Sequence, residues 1–98
     1  MKTSEIIKEA DQYLLHTYNR YPVVFERGKG VRLYDTDGRE YLDFAAGIAV
    51  FGLGYGNETY NAALKDQIDK IIHTSNLYYN EPMAEAAHKL VKASGLKR

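Results

Sequence analysis

Over the first twenty positions, apolar residues recur at intervals of three and four: Ile6, Ile7, Ala10, Tyr13, Leu14 and Tyr18, with Lys8, Glu9, Asp11 and Gln12 on the other side. That period predicts an amphipathic helix over 4–19. Ser4 is its expected cap, because a hydroxyl there can accept an orphan backbone N–H. Pro22, which biases Tyr21 towards extended backbone, marks the exit. From residue 23 the period changes. Val23, Val24, Phe25 and then Val31, Leu33, Tyr34 form short β-prone runs, with Gly28-Lys29-Gly30 expected to turn between them. Asp35-Thr36-Asp37-Gly38 is a second turn, and Asp37-Gly38 is a strong hairpin signal. Tyr41, Leu42 and Phe44 complete a three-stranded antiparallel meander.

Residues 45–56 are small and glycine-rich, and read as a buried loop where backbone approaches something closely. Helical spacing returns over 58–72, with Asn57 as cap and Tyr60, Leu64, Ile68, Ile71 and Ile72 as the apolar face. A last helix is expected over about 82–94, with Pro82 in its first turn, Gly95 just past its end, and Met83, Ala86, Ala87, Leu90 and Val91 facing inward. The fold class is α+β: an N-terminal helix, a three-stranded antiparallel meander, then two helices.

Composition narrows the partners. Lys+Arg and Asp+Glu both number 13, so the formal charge is zero and nothing electrostatic favours nucleic acid or an acidic membrane surface. With no Cys there is no disulfide, thiolate nucleophile or Cys-based metal site. No apolar run approaches the roughly 20 residues of a bilayer span. The start, Met1-Lys2-Thr3-Ser4-Glu5, leads into a charged helix rather than an apolar signal core, so a cytoplasmic location is expected. At 98 residues the chain is at most one small domain, with a poor surface-to-volume ratio.

Most candidate chemistry has a structural explanation. Gly52-Leu53-Gly54-Tyr55-Gly56 lacks the G-x-G-x-x-G spacing of a dinucleotide loop, and reads as a turn. His16, His73 and His88 share no metal-ligand spacing; His16 and His88 read as helix-surface residues, and His73 lies near a helix C-terminus. No metal site is expected. Asp35/Asp37 and Asp66/Asp69 read as a turn and a solvated helix face, not as catalytic pairs. Nine of the twelve aromatic residues are Tyr, a residue suited to interfaces and wet pockets. Tyr78-Tyr79 stand out, because they share the 73–81 linker with Ser75 and Asn76 and could wall a site.

Read in order, Gly28-Lys29-Gly30-Val31-Arg32-Leu33-Tyr34-Asp35, Asp37-Gly38 and Glu40-Tyr41-Leu42-Asp43-Phe44 resemble the opening of a class III aminotransferase. Ala46-Gly47-Ile48-Ala49-Val50, Leu64-Lys65 with Gln67, His73-Thr74-Ser75-Asn76-Leu77-Tyr78-Tyr79 and Glu81-Pro82 are similar to the acetylornithine branch. The resemblance runs over residues 22–95. There are two departures. The family usually carries Leu-Gly-His-x-His-Pro where this chain has Leu53-Gly54-Tyr55-Gly56-Asn57-Glu58, and the acetylornithine branch usually has Asn where this chain has Phe51.

The resemblance implies the N-terminal segment of a fold type I homodimer that uses pyridoxal 5′-phosphate (PLP), moving the amino group of N-acetylornithine to 2-oxoglutarate in arginine biosynthesis. Residues 1–80 would be the arm and small-domain segment, and 81–98 the start of a large PLP-binding domain. The Schiff-base lysine, the ring-nitrogen aspartate, the carboxylate-binding arginine and the phosphate loop would lie beyond Arg98. No catalytic or cofactor-binding residue is therefore expected here, and these residues alone would be catalytically incomplete. By resemblance, Tyr79 lines the side-chain end of the substrate pocket, flanked by Ser75 and Asn76, while Gly47, Ile48 and Val50 approach the substrate near its carboxylate. Two alternatives stay open: a stand-alone, non-catalytic oligomerisation module, and a related aminotransferase acting on ornithine, succinyl-diaminopimelate or succinylornithine.

Overall fold

The computed structural model describes residues 2–98. In chain order the elements are helix α1 (Thr3–Tyr13), strands β1 (Phe25–Lys29), β2 (Arg32–Asp35) and β3 (Glu40–Leu42), the single turn α2 (Ala46–Ala49), and helices α3 (Glu58–Lys70) and α4 (Glu81–Ser94). The sheet order is β1-β2-β3 with both pairings antiparallel, as the meander pattern predicts. The chain divides into two compact units, Met1–Asn61 and Ala62–Arg98.

In the first unit, α1 is shorter than its apolar period. Leu14 is already extended (φ −90°, ψ 139°), so 14–19 is not helical. His16, Thr17, Tyr18 and Asn19 are weak helix formers, and no buried face compensates. His16 therefore lies past the helix, where its Nε2 meets Asn19 Oδ1 at 3.1 Å. Ser4 does not cap α1. The cap position is Lys2, whose backbone N–H donates to the Glu5 carboxylate at 2.9 Å. The Thr3 and Thr36 hydroxyls share a hydrogen bond of 2.5 Å, which ties α1 to the β2–β3 turn.

The first hairpin also differs from its prediction. Gly28 and Lys29 are strand residues paired with Leu33 and Arg32, and the reversal is made by Gly30 and Val31. The second turn is as expected. Asp35, only 5% exposed, accepts from the N–H groups of Asp37 (3.0 Å) and Arg39 (2.8 Å) and from the Tyr41 hydroxyl (2.9 Å). This is an Asx-type turn, the structural use of the Asp35/Asp37 pair. Burial pushes the Asp35 carboxyl up, but the Arg39 N–H, the Tyr41 hydroxyl, the Asp37 N–H and the Arg39 charge outweigh it and leave its pKa below the ordinary value. Phe25 packs edge-on against Tyr41 at 5.3 Å, and the Arg27 guanidinium lies 3.8 Å over the Tyr34 ring.

In the second unit, α4 begins at Asn80, whose Oδ1 accepts from the Met83 N–H at 3.0 Å. It ends at Gly95, with φ 72°. Pro82 in the first turn and Gly95 past the end are the expected signals, while the Asn80 cap was not among them. The expected inward face of α4 does not point into a core. Met83 and Leu90 are exposed, and among the described residues no apolar side chain is fully buried. The loop over 45–56 is likewise mostly exposed rather than buried. Leu64, Ile68, Ile71 and Ile72 on and after α3 are exposed as well. Among the described residues no other helix or strand packs on these apolar faces. No helix among the described residues is long and apolar enough to cross a membrane.

Candidate functional site

The first patch of predicted site residues is α2. Its hydrogen bonds are helical: the Val50 N–H donates to Ala46 O at 2.7 Å, and the Ala49 N–H to Ala45 O at 2.9 Å. Its hand is not. Ala46, Gly47, Ile48 and Ala49 have φ of 49°, 62°, 64° and 62°. They form one turn of left-handed helix. Only Gly47 adopts such backbone freely, because an L-residue there sets its Cβ against the next carbonyl, at about 1–2 kcal/mol per residue. Strain of this kind persists only where neighbouring contacts over-determine it. The turn presents Ile48 and Val50 outward, 92% and 72% exposed.

Asp43 supplies part of that over-determination. Its Oδ1 accepts from the N–H groups of Ala45 and Ala46, both at 2.9 Å, which fixes the entry to the turn. Its Oδ2 accepts from the Tyr55 hydroxyl at 2.6 Å. The Tyr55 hydroxyl, then the Ala46 and Ala45 N–H groups, hold the Asp43 carboxyl below its ordinary pKa despite some desolvation. The same bond pushes the Tyr55 phenol up. A shallow cavity of about 200 Å³ beside the turn is lined by Val50, Phe51, Gly52, Leu53 and Tyr60.

The second patch lies in the other unit. Ser75, Asn76 and Tyr79 share the loop between α3 and α4, where Ser75 is left-handed (φ 61°) and Tyr79 is 95% exposed. Asn80 holds this loop, donating from Nδ2 to Thr74 Oγ1 at 3.2 Å while it caps α4. A cavity of about 140 Å³ is lined by Gln67, Ile71, Ile72, His73, Thr74, Asn80 and Pro82. The structure thus gathers Gly47, Ile48 and Val50 in one turn and Ser75, Asn76 and Tyr79 in one loop. A larger cavity of about 380 Å³, between α1 and residues 16–24, contains none of them.

Sequence reasoning missed Asp43 and the left-handed hand of α2. The signal for Asp43 was present, since an Asp followed by small residues commonly accepts from the N–H groups just after it. No comparable signal marks Ala46, Ile48 or Ala49. The candidate chemistry is that of binding and shaping. Neither 45–56 nor 73–80 contains a lysine, and the carboxylate beside the first patch, Asp43, already accepts three hydrogen bonds. No cluster of His, Cys, Asp or Glu able to hold a metal occurs among the described residues.

The aminotransferase class-III family model matches residues 13–98. The acetylornithine aminotransferase of Wolinella succinogenes is 55% identical over 84 residues, covering 86% of this chain and 21% of that protein. The corresponding protein of Aquifex aeolicus is 55% identical over 80 residues, covering 82% and 21%. Among solved structures, acetylornithine aminotransferase from Elizabethkingia anophelis superposes with a TM-score of 0.93 at 28% identity, over 100% of this chain and 26% of that one. Ornithine aminotransferase from Toxoplasma gondii gives 0.91 at 28% identity, over 100% and 23%. The chain therefore spans about a fifth to a quarter of the length of the relatives it matches, and carries a segment of their fold type I architecture. With a family match that runs from Tyr13 to its last residue, this chain belongs to the class III aminotransferases.

Proposed function

We propose that these residues are the substrate-side segment of a PLP-dependent aminotransferase that moves the amino group of N-acetylornithine to 2-oxoglutarate. The observation that carries the reading is the identity of 55% to two proteins named acetylornithine aminotransferase. The residues present do not fit a holding site for PLP: neither patch offers a lysine, and Asp43 is engaged with Ala45, Ala46 and Tyr55. No chemical step is assigned to them. Their part is to bind and orient, with Gly47, Ile48 and Val50 at the carboxylate end of the amino donor and Tyr79, Ser75 and Asn76 at its side-chain end. Residues 1–80 form the arm and small-domain segment, and 81–98 open the large domain. The assembly is a homodimer working in the cytoplasm.

Likeness to the Toxoplasma gondii enzyme supports a second reading, with ornithine as donor. The test is steady-state transamination by the protein as its gene encodes it, supplied with PLP and 2-oxoglutarate, with glutamate formation measured. A kcat/KM for N-acetylornithine at least tenfold above that for ornithine supports the first reading. The reverse order replaces it with the second. No glutamate from either donor overturns both.

A further inference from the structure

Phe51 and Tyr55, two of the positions at which the sequence departs from the family pattern, touch each other. Their rings stack with centroids 5.4 Å apart and planes at 28°. Tyr55 is held from three further sides. Its hydroxyl donates to Asp43 Oδ2 at 2.6 Å. Its backbone exchanges hydrogen bonds with Gly30, the Gly30 N–H donating to Tyr55 O at 2.8 Å and the Tyr55 N–H to Gly30 O at 2.9 Å. Its ring lies over Gly28, where a Cβ would sit 2.6 Å from the Tyr55 Cγ. Asp43 in turn fixes, through its other oxygen, the N–H groups of Ala45, just ahead of the left-handed turn, and of Ala46, its first residue. Phe51 closes that turn, its N–H donating to Ala46 O at 2.9 Å. A continuous set of contacts therefore runs from the β1–β2 hairpin through Tyr55 to both ends of Ala46–Ala49.

We propose that Phe51, Tyr55 and Asp43 form a positioning device, with Tyr55 as its pivot, that holds the Gly47–Val50 turn in the pose that meets the amino-donor substrate. The proposal rests on the reading that this turn meets the donor. Three observations carry it. The turn is strained, so an external restraint is required to keep it. The restraint grips the two ends of the turn and leaves its outward residues, Ile48 and Val50, free to contact a ligand. Finally, a phenol reaches further from the backbone than an imidazole, so Tyr55 at the family's usual His position spans the gap to Asp43 while its ring rests on the hairpin. Tyr55 is a positioning residue, because it acts through the turn and not on reacting atoms.

Tyr55→Phe tests this in the full-length protein, since it keeps the ring on Gly28 and Phe51 and removes only the hydroxyl. Hydrogen exchange at the amides of residues 45–51 should accelerate about tenfold, as expected for loss of one bond to a charged acceptor, while exchange in α1 stays constant. KM for N-acetylornithine should rise about five- to tenfold, with kcat within about twofold of wild type, because loosened positioning weakens binding before it alters chemistry. Asp43→Asn is the second variant. It removes the charge, leaves the hydroxyl in place, and should give the same pattern if Tyr55→Phe is poorly folded. Unchanged exchange at 45–51 in both variants overturns the proposal, as does faster exchange with an unchanged KM. A wild-type protein that turns over no amino donor defeats the functional reading, while the exchange experiment still decides whether Tyr55 holds the turn.

Discussion

Replacing Ile48 by glycine should stabilise the turn it helps to form. Ile48 sits at φ 64°, ψ 56°, with its side chain 92% exposed. Removing the side chain therefore sacrifices almost no burial. Releasing the left-handed strain returns about 1–2 kcal/mol. Against this stands the greater freedom of glycine in the unfolded chain, about 0.5–1 kcal/mol. At the midpoints of those ranges, about 1.5 less about 0.75, the net gain is about 0.75 kcal/mol. It should appear where the turn opens, at the amides of Val50 and Phe51, which both donate to Ala46 O. Their exchange should slow about two- to fivefold, the ratio that such a free energy sets in the EX2 regime. Ile48→Ala is the control, because it keeps a Cβ and with it most of the strain, so exchange should scarcely change. Equal or faster exchange in Ile48→Gly would refute the assignment of strain to this position. The same variant should weaken binding of the amino donor, since it removes a side chain presented by the turn.

Further outcomes follow from other contacts. At Gly54 (φ 77°) a Cβ would lie 2.8 Å from Gly30 O, whereas at Gly30 (φ 58°) it would meet nothing within 4 Å. Gly54→Ala should therefore destabilise by about 2–5 kcal/mol, from strain plus overpacking, and Gly30→Ala by only about 1–2 kcal/mol, as read from urea midpoints; equal midpoints would contradict the close approach. Asn80→Ala removes the α4 cap and should cost about 1 kcal/mol, with Asn80→Ser close to wild type. Asp43 and Asp35 both titrate below the ordinary carboxylate value. Their stabilisation is thus complete above the unfolded-state pKa of about 4 and is lost as pH falls through the lower folded-state values. A urea-midpoint profile should drop on acidification from about pH 4, more shallowly in Asp43→Asn and Asp35→Asn; profiles parallel to wild type would count against it.

Much of the fold was legible because its signals are local. Asp37-Gly38, Asn57, Pro82 and Gly95 each act within a few residues, and each turn, cap or helix end forms where its chemistry places it. The misjudged elements depend on distant or missing surroundings. Residues 14–19 continue an apolar period, yet Leu14, Leu15 and Tyr18 stay exposed and the backbone leaves the helix at Leu14. Gly28 reads as a turn residue in isolation; its actual role is to let the Tyr55 ring approach strand β1. For the candidate site, the sequence pointed to Gly47, Ile48, Val50, Ser75, Asn76 and Tyr79 through resemblance. It could not reveal the left-handed turn, because Ala and Ile carry no preference for that backbone.

The bridge between Gly30 and Tyr55 also orders events in time. The β1–β2 hairpin closes through two residues and can form within microseconds, whereas the bridge must close the whole stretch from Gly30 to Tyr55. Its docking surface, the face of Gly28 and the backbone of Gly30, does not exist until the hairpin does. The left-handed turn lies inside the stretch that the bridge closes, so the part of its restraint that runs through Tyr55 follows the hairpin, while the Asp43 bonds to Ala45 and Ala46 are local. A nascent chain should therefore gain Tyr55's hold on the turn only after the β1–β2 hairpin forms, and Gly28→Ala, which blocks the ring's seat, should delay that step while leaving hairpin formation at its normal rate.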